Sequence, residues 1–414
     1  MNYLDTECMP LESLESSSPL PKLTIGKYTV DSCIIQWWMG VWISTAELVW
    51  NVSLHGGIGT LSSAAPHLLL EYKDYWRHKL HEAYQISSND SSVLESKKER
   101  YKRIFKEANC YCMKKEIEKA KEIAQWKPIF INIMVAFKDY DFFVKAACEA
   151  WIDGIVSGAW LPINLPDLTK DYPDVALMPI VSDLRALKLL IDRYRKPKGK
   201  FPSAVIVESP SKAWGHLGAK NMNEIEREDA QLENSVPAIR GYLDSLNTEQ
   251  YIPIIAAGGI DNRADIDAAL KLWANGVQMW TRFLASKESG ASESFKKAII
   301  SARKEDLQII LSSAWLPFSA LKSSGTLIRS WGPKDRQAHI RNCLRDCLSH
   351  CGFVKWDIHS IRMCIIDELL RSTKWGRGDG LMSTWNFFDE QGKSKITSIE
   401  TVEAIMSLLQ WEVK

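Results

Sequence analysis

Between residues 33 and 303, short apolar runs alternate with longer amphipathic segments. The runs are CIIQ (33–36), IGTLS (58–62), IFINIMV (129–135), GIVSG (154–158), ALMPIVS (176–182), AVIVE (204–208), IPIIAAGG (252–259) and GVQM (276–279). Segments with helical periodicity lie at 44–54, 95–125, 139–150, 183–195, 235–248 and 262–274. Apolar runs without strict alternation suit strands buried on both faces, and helices between such strands place them in parallel. Eight such units match the length and count of a TIM (β/α)8 barrel, an α/β fold. A doubly wound sheet is the alternative.

The same pattern divides the chain. Residues 1–24 form an N-terminal extension, and 25–330 the barrel, with a helical insertion at about 66–127. Residues 331–414 form a mostly helical C-terminal extension expected to pack on the barrel. The basic stretch SKKERYKRIFKEANCYCMKKEIEKAKE (96–122) carries acidic residues at helical spacing, so it reads as a solvated helix face rather than a nucleic-acid patch.

Composition adds exclusions. The chain has 52 Lys+Arg and 51 Asp+Glu, a formal net charge of +1, so no global field favours nucleic acid or an anionic membrane. Its longest apolar stretches, such as IFINIMVAF (129–137), are too short to span a bilayer, and the first twenty residues lack the pattern of a signal peptide. Nine cysteines in 414 residues read as reduced thiols of a cytoplasmic protein. Cys343, Cys347 and Cys351, spaced i, i+4 and i+8, could share one helix face but fit no common zinc or iron–sulfur spacing; packing is the expectation, a redox or metal role the alternative. FFDEQGKSKITSIE (387–400) lacks the glycine and a ligand of a calcium loop, at Ser394 and Lys393, and no metal site is expected.

In such a barrel, chemistry sits on loops at the C-terminal ends of the strands, with phosphate commonly held after strands 7 and 8. Gly258 and Gly259 end the seventh run, and the helix beginning near Asn262 would aim N–H groups at an anion. Thr281, after the eighth run, could add a hydroxyl. The sixth run leads into ESPSKAWGHLG (208–218), where His216 lies in a Gly-containing loop suited to an acid or base. Asn132 and Ser182 also stand at strand ends and could hydrogen-bond a ring system; a cap or turn role is equally open for either.

These blocks resemble the nitronate monooxygenase (2-nitropropane dioxygenase-like) family. IIQWWMGVWIS (34–44) resembles its opening IIQGGMGVGIS. INIMVA (131–136), DGIVSGAWLP (153–162), SKAWGHLG (211–218), AAGGI (256–260), ANGVQMWTRFL (274–284) and MCIIDELL (363–370) resemble further blocks in order. The resemblance implies a bacterial-type flavoprotein holding FMN non-covalently. Met39 and Gly40 would lie along the flavin ring and Asn132 would contact it. Ala213, Trp214 and Gly215, with Gly258, Gly259 and Thr281, would hold the ribityl phosphate and ring. Trp38, Ser182, Gln278 and Trp280 complete the implied cofactor site. His216 would be the base that takes the α-proton of a nitroalkane or orients a nitronate. O2 would be consumed, giving a carbonyl compound and nitrite. A flavin-dependent enoyl-ACP reductase, an NAD(P)H:quinone reductase using NAD(P)H, and a non-enzymatic barrel with an occluded flavin site are the alternatives. No nucleic-acid or membrane partner is expected, and the oligomeric state stays open.

One departure is systematic. There are 17 Trp against 22 Gly, and glycine (22/414, 5.3%) falls below the usual ~7%. Trp37, Trp38, Trp42, Trp151, Trp160, Trp214, Trp273, Trp280 and Trp315 stand where the family blocks have glycine; Trp50, Trp126 and Trp385 extend the set. An indole supplies neither positive φ nor room for a ligand. The expectation is that these codons are UGA and mean glycine.

Overall fold

The computed structural model describes residues 19–41, 43–66, 91–198, 200–213, 215–216, 218–321, 347–352, 364–374, 382–383 and 388–410. All eight apolar runs form strands: β3 (Ile34–Gln36), β4 (Gly59–Ser62), β5 (Ile129–Asn132), β6 (Gly154–Ser157), β7 (Ala176–Val181), β8 (Val205–Glu208), β10 (Ile254–Ala257) and β11 (Gly276–Met279). They pair in parallel in the order β3-β11-β10-β8-β7-β6-β5-β4. Ile58 N–H donates to Ile34 O (3.0 Å) and Gln36 N–H to Ile58 O (2.9 Å), so the last strand returns to the first and the sheet closes as a TIM barrel. The Gln36 side chain pins that seam, its Oε1 accepting from Thr60 N–H (3.0 Å) and its Nε2 donating to Ser44 Oγ (3.0 Å). A hairpin of β1 (Leu23–Ile25) and β2 (Tyr28–Val30) buries Leu23, Ile25 and Val30 beneath the start of β11.

The helix Ser91–Ile123 lies along helices Ala46–Leu54 and Tyr140–Glu149. Tyr101, Ile104, Ala108, Cys112, Met113, Ile117, Ala120 and Ala124 make its buried stripe at three- and four-residue spacing. Buried Glu116 accepts from Ala46 N–H (2.9 Å), so a carboxylate from the insertion caps the first barrel helix at its positive end. Buried Lys121 pairs with Asp153 (2.8 Å), whose other oxygen accepts from Ile129 N–H (2.9 Å) at the start of β5.

Beyond the barrel, β12 (Leu307–Leu311) and β13 (Pro317–Leu321) form an antiparallel hairpin. Its β13 also pairs with β14 (Met382–Ser383) and with β9 (Gly215–His216). Helix Val402–Gln410 buries Val402, Ile405, Met406 and Leu409 against the barrel, and its Gln410 carbonyl accepts from Arg263 Nη1 (2.8 Å).

Close packing makes one glycine in the first barrel unit indispensable. A Cβ on Gly59 would stand 2.1 Å from the Val49 carbonyl oxygen, and that helix backbone cannot retreat from the core. Gly59→Ala is expected to cost at least ~1–3 kcal/mol. Gly241, inside helix Leu232–Ser245 with nothing within 4 Å of its Cβ position, is the internal control. There, Ala is expected to stabilise by ~0.5–1 kcal/mol. Denaturant midpoints of the two variants should move in opposite directions.

Candidate active site

The C-terminal ends of the strands surround a cavity of about 400 Å3. Trp37, Trp38 and Gly40 enter it from the loop after β3, Asn132 from the end of β5, Ser182 from just beyond β7, and Glu208 from the end of β8. Its outer wall comes from far along the chain: Phe318 of β13, then Ile365, Ile366 and Leu369 of the helix Ile365–Arg371. An apolar box with a few convergent polar groups is the usual character of a small-molecule site.

Two of these polar groups, Asn132 and Glu208, are buried with polar atoms that lack partners. Asn132 is 1% exposed, and neither its Oδ1 nor its Nδ2 has a hydrogen-bond partner. Glu208 is 4% exposed with an orphaned Oε1, and burial pushes its carboxyl well above the usual range, which favours the neutral form that can donate. Ser182 Oγ is committed to the Gly218 carbonyl (3.2 Å). Buried polar atoms in folded proteins almost always find partners. Two strand ends of the same barrel mouth, β5 and β8, without them point to a polar ligand in the cavity between the loops.

A second, very small void of about 10 Å3 adjoins it, with Trp37 and Glu208 lining both spaces. Its floor is Gly258 and Gly259, at φ of 118° and 73°, and its walls include Gln278, Trp280 and Thr281. Both polar atoms of Gln278 and Thr281 Oγ1 are buried without partners. Helix Arg263–Lys271 begins beside it, capped by Asn262, whose side chain accepts from Asp265 N–H. Loop, hydroxyl and helix start are features that can seat an anion, with the carboxyl groups of Glu208 and Asp261 also lining the space. In the chain as written, the indoles of Trp37 and Trp280 (6% and 4% exposed) occupy that seat, and the remaining space is about one water molecule.

The ring half of the implied cofactor site therefore fits a planar ligand, and the phosphate half does not. Met39 is fully buried between the two tryptophans and Gly40, its N–H donating to Ser44 Oγ (2.9 Å). Ala213 is buried in the core behind the cavity. Gly215 and His216 pair through their backbones with Ser319 and Phe318, which carries residue 216 to the strand that walls the cavity. Trp214 and Trp42 lie outside the described residues, as do Cys343 and Trp385. Glu208 and the outer wall of Phe318, Ile365, Ile366 and Leu369 were not picked out from sequence. A carboxylate closing an apolar strand run was the legible signal for Glu208, whereas the wall depends on long-range docking.

Burial pushes the Cys33, Cys112 and Cys148 thiols up to about 12. No group of residues able to hold a metal ion occurs among the described residues.

Asp261, fully enclosed beside the small void, has its carboxyl pushed up to about 7 by burial, against the pull of Lys395 and Arg282. Between the unfolded value near ~4 and about 7, the folded state holds a proton that the unfolded chain has lost. Stability therefore falls as pH rises through that window, by an amount on the order of 3–4 kcal/mol. Asp261→Asn is expected to flatten this slope in denaturation midpoints taken across the window. Glu208 adds a decline of the same sign that remains.

A closed parallel barrel with a ligand cavity at the C-terminal ends of its strands defines the class: a TIM barrel built around a small-molecule site. The profile of the family described as nitronate monooxygenase matches residues 22–315, and the chain belongs to that family. Among individual relatives, a probable nitronate monooxygenase of Staphylococcus saprophyticus is 36% identical over 102 residues, covering 25% of this chain and 27% of that protein. A counterpart in Staphylococcus aureus is 36% identical over 106 residues, with 25% and 27% covered. These matches span about a quarter of the relatives' length. In fold, the chain is similar to FabK from Thermotoga maritima (TM-score 0.58, 19% identity, 91% of each chain covered). It is equally similar to a nitroalkane oxidase from Streptomyces ansochromogenes (TM-score 0.58, 15% identity, 92% and 95% covered).

Proposed function

We propose that this protein is an FMN-dependent oxidoreductase that oxidises small alkyl nitronates with O2 to a carbonyl compound and nitrite. Carrying this reading is the apolar cavity with orphaned Asn132 and Glu208 at its floor, in a chain of the nitronate monooxygenase family. FMN, when bound, would supply the redox chemistry.

The chain's own residues would bind, orient and manage protons. Asn132 offers one donor and one acceptor to the heteroatom edge of a flat ring. Glu208, held neutral, donates an O–H without repelling an anionic substrate. With glycine at 37 and 280, Gln278 and Thr281 would offer polar atoms to the phosphate-bearing tail. Ile365, Ile366 and Leu369 keep water from the reacting face and limit the substrate to a short alkyl chain. His216, delivered by the β9–β13 pairing, would take the α-proton of a neutral nitroalkane. The buried thiols of Cys33, Cys112 and Cys148, none in a disulfide, support a reducing compartment, and we assign the protein to the cytoplasm.

The test is an assay of protein with glycine at 37, 38, 42, 214 and 280, loaded with FMN and given propyl nitronate in air. Nitrite should form in step with carbonyl product and oxygen uptake. Oxidation of NADH without any nitrite would replace this reading with the reductase one. Failure to retain flavin in the glycine-bearing protein would leave a non-enzymatic barrel.

A further inference from the structure

Among the described residues, ten other than glycine take a left-handed backbone, with φ between 48° and 111°, and five of them are tryptophan: Trp126 (61°), Trp151 (60°), Trp160 (111°), Trp273 (75°) and Trp315 (61°). Only nine tryptophans fall among the described residues, so more than half sit where a bulky side chain is a steric outlier and glycine is the default.

Local hydrogen bonding shows what these positions are. Helix Tyr140–Glu149 closes with Trp151 N–H donating to Cys148 O (3.0 Å) and Ile152 N–H to Ala147 O (3.2 Å). Helix Arg263–Lys271 closes identically, Trp273 N–H to Leu270 O (3.1 Å) and Ala274 N–H to Ala269 O (3.3 Å). Both are the paired bonds of a Schellman ending, with tryptophan at the left-handed residue that is usually glycine. Trp315 turns the β12–β13 hairpin, its N–H on Ser312 O (3.0 Å). None of these indoles compensates by packing in the core: Trp126, Trp151 and Trp273 are 72%, 77% and 68% exposed.

Trp37 and Trp280 show the opposite fault. They are buried and fill the anion seat over Gly258 and Gly259, beside the orphaned polar atoms of Gln278 and Thr281. Trp38 Nε1 is buried without a partner at the edge of the larger cavity. One group of positions needs glycine for its backbone and the other for its emptiness. Tryptophan, the residue type least suited to either need, is the one that recurs: it takes five of the ten left-handed non-glycine positions among the described residues, the others being Val41, Ala65, Gln125, Ala159 and Asn247.

We infer that the functional polypeptide carries glycine at 37, 126, 151, 160, 273, 280 and 315, inserted at UGA codons that a code reading UGA as tryptophan writes as Trp. Trp37 and Glu208 line both spaces, so glycine at 37 opens one toward the other, and glycine at 280 enlarges the smaller. One elongated cavity then runs from the Ile365–Arg371 helix to the Gly258–Gly259 loop. The backbone part of the argument is independent of the flavin reading.

The experiment is peptide mass spectrometry of the full-length protein purified from its own host. Trypsin releases 146–170, which holds positions 151 and 160, and 272–282, which holds 273 and 280. Each peptide is expected to be lighter than written by two indolylmethyl groups exchanged for hydrogen. Tryptophan masses at 151, 160, 273 and 280 would overturn the inference, whatever the protein's activity. Glycine masses with no flavin bound would uphold it and overturn the proposed function instead.

Discussion

Protein with glycine at 37, 38, 42, 214 and 280 is expected to bind FMN at least ~10²–10⁴-fold more tightly than the chain carrying tryptophan there. In the tryptophan form, the void over Gly258 and Gly259 is about 10 Å3, too small for a phosphate. Binding would require either expelling two buried indoles or leaving the phosphate outside. Losing two charge-assisted hydrogen bonds costs ~3–6 kcal/mol, and ~1.4 kcal/mol is a tenfold change in affinity. Fluorescence quenching of free FMN on titration with each protein reads the difference. Riboflavin is the control, since it has the ring and lacks the phosphate. It should gain far less than FMN from the glycine at 37 and 280. An equal gain for both ligands would show that the ring cavity, and not the anion seat, was obstructed.

In that glycine-bearing protein, His216→Ala is expected to lower kcat/KM for a neutral nitroalkane by ~10²–10⁴-fold, the usual contribution of a positioned base. The preformed nitronate has already lost the α-proton, so its turnover should fall far less. The prediction rests on the backbone register, which pairs His216 with Phe318 on the strand that walls the cavity. Steady-state kinetics with a nitroalkane and its own nitronate give the two numbers side by side. Equal losses on both substrates would remove the proton-transfer role and leave His216 an orienting residue. Asp261→Asn provides a useful contrast, because its effect is read in stability against pH and not in turnover.

Much of the fold was legible because each barrel strand announces itself within a few residues. A parallel strand covered on both faces must be apolar at consecutive positions, and IFIN, GIVS, VIVE and IIAA are all buried throughout. The anion seat was legible too, since Gly258 and Gly259 end the seventh strand run and their positive φ is a property glycine alone supplies at little cost. Glu208 was less visible. Its identity is in the sequence, but its significance comes from having no partner, which depends on every neighbour around it.

The chain's own order of residues determined the barrel, the number of its strands and the loops that carry polar groups, because hydrophobic periodicity and turn chemistry act over short separations. Tertiary structure alone decided which distant pieces close the site. The β9–β13 pairing joins residues about a hundred positions apart, and the helix Ile365–Arg371 reaches back to a cavity floored by Asn132. Such contacts depend on how packed surfaces fit in three dimensions, and no local pattern encodes that fit. The tryptophans needed both levels. Sequence showed them standing at motif positions, and only the backbone showed that five of them occupy conformations suited to a residue with no side chain.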